Sequence, residues 1–264
     1  MPEFQAGPGL LLVFAELGEK VTEEQFHDWY DNEHIPLRTS SLPEFNTAAR
    51  YVAHDNKEPK WAAMYSISDN TLFGEDRYTK LRANRSEREG KLVASLGVLD
   101  RRIYKLSSSS PSTPSSQSEQ SEPSPTSPHP KLVIFHALTP TTSSDSTSTT
   151  TSTSSSSELS ALLTSAENRY SALPGFIRVR KFDSVDIVRS GLRVRAEGSE
   201  GEDVGSVLEV VEFSDPSILT SDPFTSLSSW YTDALDPLCS YRSFRAFGLW
   251  KEYEATAALQ AQKK

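Results

Sequence analysis

Apolar positions along the chain switch between strand-like and helix-like spacing in the order β-α-β-β-α-β, and then do so a second time. In the first half, Leu10–Ala15 is a continuous apolar run that reads as a buried strand. Glu23–His34 is helical, and Phe45–His54 and Trp61–Ser68 alternate as a strand pair joined through the turn formers of HDNKEP. Leu72 to about Leu96 is helical with breaks expected at Gly74 and Gly90, and Leu99–Leu106 closes the unit. The second half repeats the order with Leu132–Leu138, Glu158–Leu173, Gly175–Val188, Val207–Ser214, Phe224–Leu235 and Tyr241–Trp250. This order predicts an α+β fold made of ferredoxin-like units. One such unit covers only one face of its sheet, so two copies are expected to close around a shared barrel as an intramolecular pseudo-dimer.

Landmarks shared by the halves support a duplication. ISDNTLFGEDRYTKL (Ile67–Leu81) lies over FSDPSILTSDPFTSL (Phe213–Leu227) without a gap, LPEF at Leu42 over LPGF at Leu173, and LLVFA at Leu11 over LVIFH at Leu132. The spacing between partners grows along the chain where low-complexity segments intervene. Residues 1–106 and 131–253 are the expected repeats. Ser107–Pro130, with 11 Ser and 6 Pro, is expected to be a disordered tether between them. Thr141–Ser157 is Ser or Thr except at Asp145 and reads as a loop insertion. Ser190–Gly205 reads as an extended turn, and residues 254–264 as a tail.

The most informative run is VTEEQFHDWYDNEHIPLR, Val21–Arg38. Thr22 with Gln25 forms a capping box, and Val21 with Phe26 a hydrophobic staple, so the helix start is well specified. Pro36 disfavours a helical Ile35, which places the helix end near His34. Phe26, Tyr30 and His34 follow one another at four-residue spacing, with Trp29 beside Phe26, so the packed face ends in a titratable ring. A helix C-terminus would raise the His34 pKa and burial would lower it; both leave a group able to exchange protons.

FHDWYDNEHIPLR, followed by LPEFNTAARY and WAAMYSISD, resembles the EthD family of dimeric α/β-barrel proteins, in particular its fungal tandem members. The resemblance covers most of the first half and echoes weakly in the second. It implies a barrel with a cavity between paired sheets. The wider superfamily includes small cofactor-free enzymes: lactone isomerases, polyketide cyclases, quinone-forming monooxygenases, and decarboxylases or dehydratases. The second half departs from the motif, with Ala161, Leu163 and Ser165 where Tyr30, Asn32 and His34 stand, so a single site is expected in the first half.

On this reading His34 is a general acid/base or a donor to a substrate oxygen, with Tyr30 and Asn32 as hydrogen-bond donors. Its structural alternative is a histidine capping its own helix. Asp31 and Asn32 could also orient His34 or bind substrate, the alternative for Asp31 being a solvated helix end. Trp29, Tyr51 and Tyr65 are expected to line the pocket. Arg50 is either a substrate carboxylate partner or a salt bridge at the sheet rim. His136, on the second half's first strand, is either a cavity wall or a satisfied core histidine.

Composition narrows the partners. A net charge of −9 disfavours nucleic acid, and no apolar run is long enough to span a membrane. Cys239 is the only cysteine, the five histidines form no i, i+4 pair, and phosphate-loop and GxSxG motifs are absent from the sequence. A cytosolic protein with no metal or cofactor is therefore expected, binding a hydrophobic or aromatic small molecule. The expected activity is a lyase, cyclase or isomerase acting on an aromatic or polyketide-like compound. The alternatives are a cofactor-independent monooxygenase of phenols and a non-catalytic binding protein.

Overall fold

A computed structural model describes residues 3–109, 129–141 and 151–256. The first half runs β1 (Gly9–Glu16), α1 (Glu23–Trp29), a π-helical turn (Tyr30–His34), α2 (Ile35–Ser41), β2 (Phe45–Ala53), β3 (Trp61–Ile67), a 3₁₀ turn (Asn70–Gly74), α3 (Asp76–Ala83), α4 (Glu87–Ser95) and β4 (Val98–Ser109). The second runs β5 (Leu132–Pro140), α5 (Thr151–Ser171), β6 (Phe176–Ser190), α6 (Leu192–Glu197), β7 (Val207–Phe213), a 3₁₀ turn (Pro216–Thr220), α7 (Asp222–Leu235) and β8 (Cys239–Tyr253).

The strands close into one antiparallel barrel, ordered β1-β3-β2-β8-β5-β7-β6-β4. Each half supplies a ferredoxin-like sheet, β4-β1-β3-β2 or β6-β7-β5-β8. Their edges meet where β2 pairs with β8 and β4 with β6, so neither sheet keeps a free edge. Strand alternation then sorts side chains into three layers. Leu10, Leu12 and Phe14 face the barrel interior with Tyr51, Met64, Phe135 and Phe247. Leu11, Val13 and Ala15 face the first half's helices with Phe26, Trp29 and Tyr65. Leu132, Ile134 and Leu138 face the second half's helices with Tyr170 and Tyr231. Phe14, Phe135 and Phe247 from three strands meet at centroid distances of 5.6, 5.6 and 5.5 Å, joining the halves through an aromatic centre.

Matching details recur in both halves. Phe45 pairs with Ile67 and Phe176 with Phe213, and each pair is followed at once by a bulge. Ser68 N–H donates to Glu44 O at 2.9 Å, and Ser214 N–H to Gly175 O at 2.8 Å. Asp69 caps Thr71 N–H, and Asp215 caps Ser217 N–H.

Several sequence expectations need correction. The first helix does not stop at His34: Ile35 is helical (φ −73°, ψ −49°), and the chain winds on to Ser41. Ile35 N–H reaches back five residues to Tyr30 O, and this wider turn accommodates Pro36 within the first turn of α2. Gly90 lies inside α4; the break falls instead between α3 and α4, where Ser86 caps the new helix by accepting from Glu89 N–H at 2.9 Å. The 190–205 segment contains α6, and Thr151–Ser157 begins α5. Ser107–Ser109 extend β4, while 110–128 of the tether, 142–150 of the Ser/Thr segment and 257–264 of the tail lie outside the described residues.

Candidate functional site

The π-helical turn is the local feature that assembles the site. The predicted capping box is present, with Gln25 N–H donating to Thr22 Oγ1 at 3.2 Å and Thr22 N–H to Gln25 Oε1 at 3.1 Å. It fixes the start of α1 and hence the face that carries Phe26, Trp29 and Tyr30 into the helix–sheet layer. The extra residue in the π turn advances His34 onto that same side. The His34 ring packs 4.4 Å from the Trp29 ring and 5.1 Å from that of Tyr30.

His34 Nδ1 lies 2.8 Å from Glu89 Oε1 on α4. The side chains are 15% and 2% exposed, so water competes little for this bond. Burial opposes the Glu89 charge, but the hydrogen bond from His34 and the nearby charges, Arg38 and Arg85 included, hold its carboxyl below the usual range. An ionised carboxylate can only accept, so Nδ1 carries the hydrogen and Nε2 presents a lone pair. Burial, then the Arg38 charge, push the His34 pKa down to about 3, so the ring is neutral near pH 7. Arg38 braces the pair, donating from Nη1 to His34 O at 2.7 Å and standing 3.7 Å from Glu89.

A cavity of about 50 Å³ adjoins this pair, and Trp29, Tyr30, His34, Tyr65 and Glu89 line it. Trp29 Nε1 and Tyr65 Oη, on two of these lining residues, are buried without hydrogen-bond partners among the described residues. Burial keeps the Tyr65 hydroxyl protonated far above its ordinary range, so it remains a donor. His34, with its Nε2 lone pair, and two unengaged donors thus line one small recess.

The larger hollows lack this convergence. About 710 Å³ between α1 and α4 is an open groove with charged walls such as Lys20, Glu24 and Arg88. About 430 Å³ at one barrel mouth is lined by Phe14, Phe135 and arginines, but Arg102 pairs with Asp100, Arg189 with Glu202 and Arg245 with Asp55. This mouth is the nearest counterpart of the cavity expected between the sheets; the barrel centre itself is packed.

The structure therefore brings Trp29, Tyr30, His34 and Tyr65 together and separates the other candidates. Tyr51 faces the barrel interior, a sheet thickness away, with its hydroxyl buried and unpartnered. Asn32 is exposed and donates to Asp28. Arg50 is 1% exposed but is held beneath the Tyr30 ring, 4.4 Å from its centroid, between His27 Nδ1 at 2.8 Å and Asp31 Oδ1 at 3.5 Å. Asp31 is no solvated helix end, because it also accepts from Lys251 and Tyr253 of β8. His136 lies in the other helix layer, with Nε2 at 3.2 Å from the Tyr170 hydroxyl and its strand partner Glu209 bonded to Tyr231.

Glu89 is the site residue that sequence reasoning missed. Ser86 and Glu89 form an S-x-x-E pattern, which marks Glu89 as a helix-capping carboxylate. No local signal shows that its side chain turns inward to a histidine 55 residues away.

No protein-family model and no curated protein matches the sequence. Solved structures do match. An anthrone oxidase-like protein superposes with a TM-score of 0.56 at 8% identity, covering 97% of this chain and 96% of its own. A candidate chlorite dismutase gives 0.52 at 10% identity, covering 97% and 99%. The likeness is one of fold. It supports the ferredoxin-like α+β barrel and leaves the chemistry to be argued from the residues. Among the described residues, no helix is long and apolar enough to cross a membrane.

Proposed function

We propose that this chain is an enzyme that moves a proton on an aromatic or polyketide-like small molecule, as a lyase, cyclase or isomerase, in the cavity beside His34. The observation that carries the reading is the 2.8 Å His34–Glu89 bond, which leaves Nε2 as a lone pair beside two unpartnered donors. Nε2 accepts a proton from an activated carbon or hydroxyl of the substrate, and Glu89 steadies the imidazolium that forms. Tyr65 and the Trp29 indole donate to the oxygen on which negative charge develops, in a site from which water is largely excluded. These steps use only groups that the chain supplies. The EthD assignment and the duplication belong to the same proposal, supported by the WYDNEHIP motif and by the matching bulges and caps of the two halves.

A second reading begins from the same deprotonation. A phenolate or enolate formed beside Trp29 would react with O₂, and the fold likeness to an anthrone oxidase-like protein is compatible with that course. Capturing metabolites on the purified protein and weighing the product separates the two. A product that loses water or carbon dioxide, or keeps its mass, supports proton-transfer chemistry, whereas one that gains oxygen overturns it in favour of oxygenation.

A further inference from the structure

The lining of the His34 cavity has an electrostatic imbalance. Its charged lining comprises Arg38, Arg82, Arg85 and Arg101 against the single carboxylate of Glu89. Arg38 is engaged with that carboxylate, and Arg101 pairs with Asp186 of β6 at 2.9 Å. Arg82, at the end of α3, and Arg85, in the α3–α4 turn, have no ion pair among the described residues. The neighbouring Arg88 does pair, with Asp28 and Glu33. Burial, then the charge of Arg101, work against the Arg82 guanidinium; Arg85 adds to that repulsion, while Tyr78 and Asp186 offset part of it. The whole chain carries a net charge of −9, so two arginines without a close ion pair among the described residues, both lining one cavity, stand out from an otherwise acidic protein.

The rest of the lining indicates what else a ligand would carry. Leu11, Val13, Tyr78 and Val93 give the recess apolar and aromatic walls, and Tyr65 Oη and Trp29 Nε1 lack partners within it. At about 50 Å³ the recess holds the oxygen-bearing edge of a ring and not a whole molecule, and Arg82 and Arg85 are part of its lining. The planar fork of arginine matches a carboxylate.

We propose that the substrate of this site is a carboxylate-bearing hydroxyaromatic compound, held through its carboxylate by Arg82 and Arg85 while its ring oxygen reaches His34, Tyr65 and Trp29. This inference rests on the reading of His34 as the reactive base and adds the anion as the recognition element.

The test uses 2-hydroxybenzoate and its neutral counterpart 2-hydroxybenzamide, with affinity measured by calorimetry and the His34 imidazole followed by ¹⁵N NMR. The acid is expected to bind at least tenfold more tightly than the amide at low salt and to shift the His34 Nε2 resonance. An R82Q/R85Q double variant is expected to lose that preference, and R88Q to keep it. Raising salt to 0.5 M is expected to narrow the preference, since Arg85 is exposed. Equal binding of acid and amide, with His34 still perturbed, overturns the carboxylate inference and leaves the site reading standing. If neither compound perturbs His34, both fail. Unchanged melting temperatures of the two variants show that lost binding is not lost folding.

Discussion

His34 and Glu89 stand 55 residues apart in the chain and 2.8 Å apart in the fold. The π turn delivers one and the Ser86-capped start of α4 the other, so the pair exists only once both helices pack on the sheet. The contact is almost dry on the Glu89 side, where 2% of the side chain is exposed. Removing the carboxylate strands the Nδ1 hydrogen and leaves Arg38 without its acid. Glu89→Ala is expected to cost about 2–4 kcal/mol in urea unfolding. ¹⁵N NMR at pH 7 should show the Nδ1–H tautomer in the wild type and a mixture in the variant. A single unchanged tautomer in E89A would show that Glu89 does not set the ring.

Asp31 ties the two halves beside the site. It accepts from Arg50 of β2 and from Lys251 and Tyr253 of β8. Arg50 is almost fully buried and has no other carboxylate partner among the described residues. Asp31→Ala should therefore destabilise the protein by about 2 kcal/mol, less than a fully buried pair because the Asp31 side chain is 22% exposed. Lys251→Ala, which removes only a half-exposed lysine, should cost under about 0.5 kcal/mol. Equal effects of the two substitutions in denaturant titrations would contradict this division of roles.

Buried titrating groups give the stability a defined pH dependence. His34 and His136 are both pushed down to about 3, chiefly by burial. Between about pH 6.5 and pH 3 the unfolded chain binds protons that the fold refuses, so stability falls as pH falls, by about 1.4 kcal/mol per unit for each histidine. Glu209 acts in the opposite direction. Burial lifts it to about 7, so from its ordinary value up to there the fold keeps a proton that the unfolded chain releases. Stability from this group is lost as pH rises through that window. Glu209→Gln keeps an acceptor for Tyr231 and removes the opposing titration. The loss of stability on lowering pH from 6.5 to 5 should then steepen by about 1.4 kcal/mol per unit relative to the wild type. Parallel pH profiles for the two proteins would show that Glu209 is ionised in the fold.

Much of the fold was legible because it rests on periodicity. The buried run at Leu10, the alternation at Phe45 and Trp61, and their repetition after Leu132 specify two sheets whose free faces need each other. Trp29, Tyr30, His34 and Tyr65 were also readable, since helix and strand spacing set their faces. Two kinds of information were not local. The π turn depends on how the chain accommodates Pro36 without leaving the helix, which a rule for residues preceding proline does not capture. Glu89 resembles a surface cap until α4 is placed against α2. A polar residue near a motif can be turned toward a cavity or away from it by one neighbouring side chain: Asp28 holds Asn32 outward, and Arg50 takes the salt-bridge alternative with Asp31, also meeting His27.

The central claim is that His34 carries the proton. Its most direct test is conversion of a captured metabolite in D₂O by the wild type and by His34→Ala, each shown to be folded and to bind the compound. The account predicts deuterium incorporated from solvent by the wild-type protein and a loss of at least a hundredfold in conversion rate by the variant. Conversion by His34→Ala at the wild-type rate would contradict it.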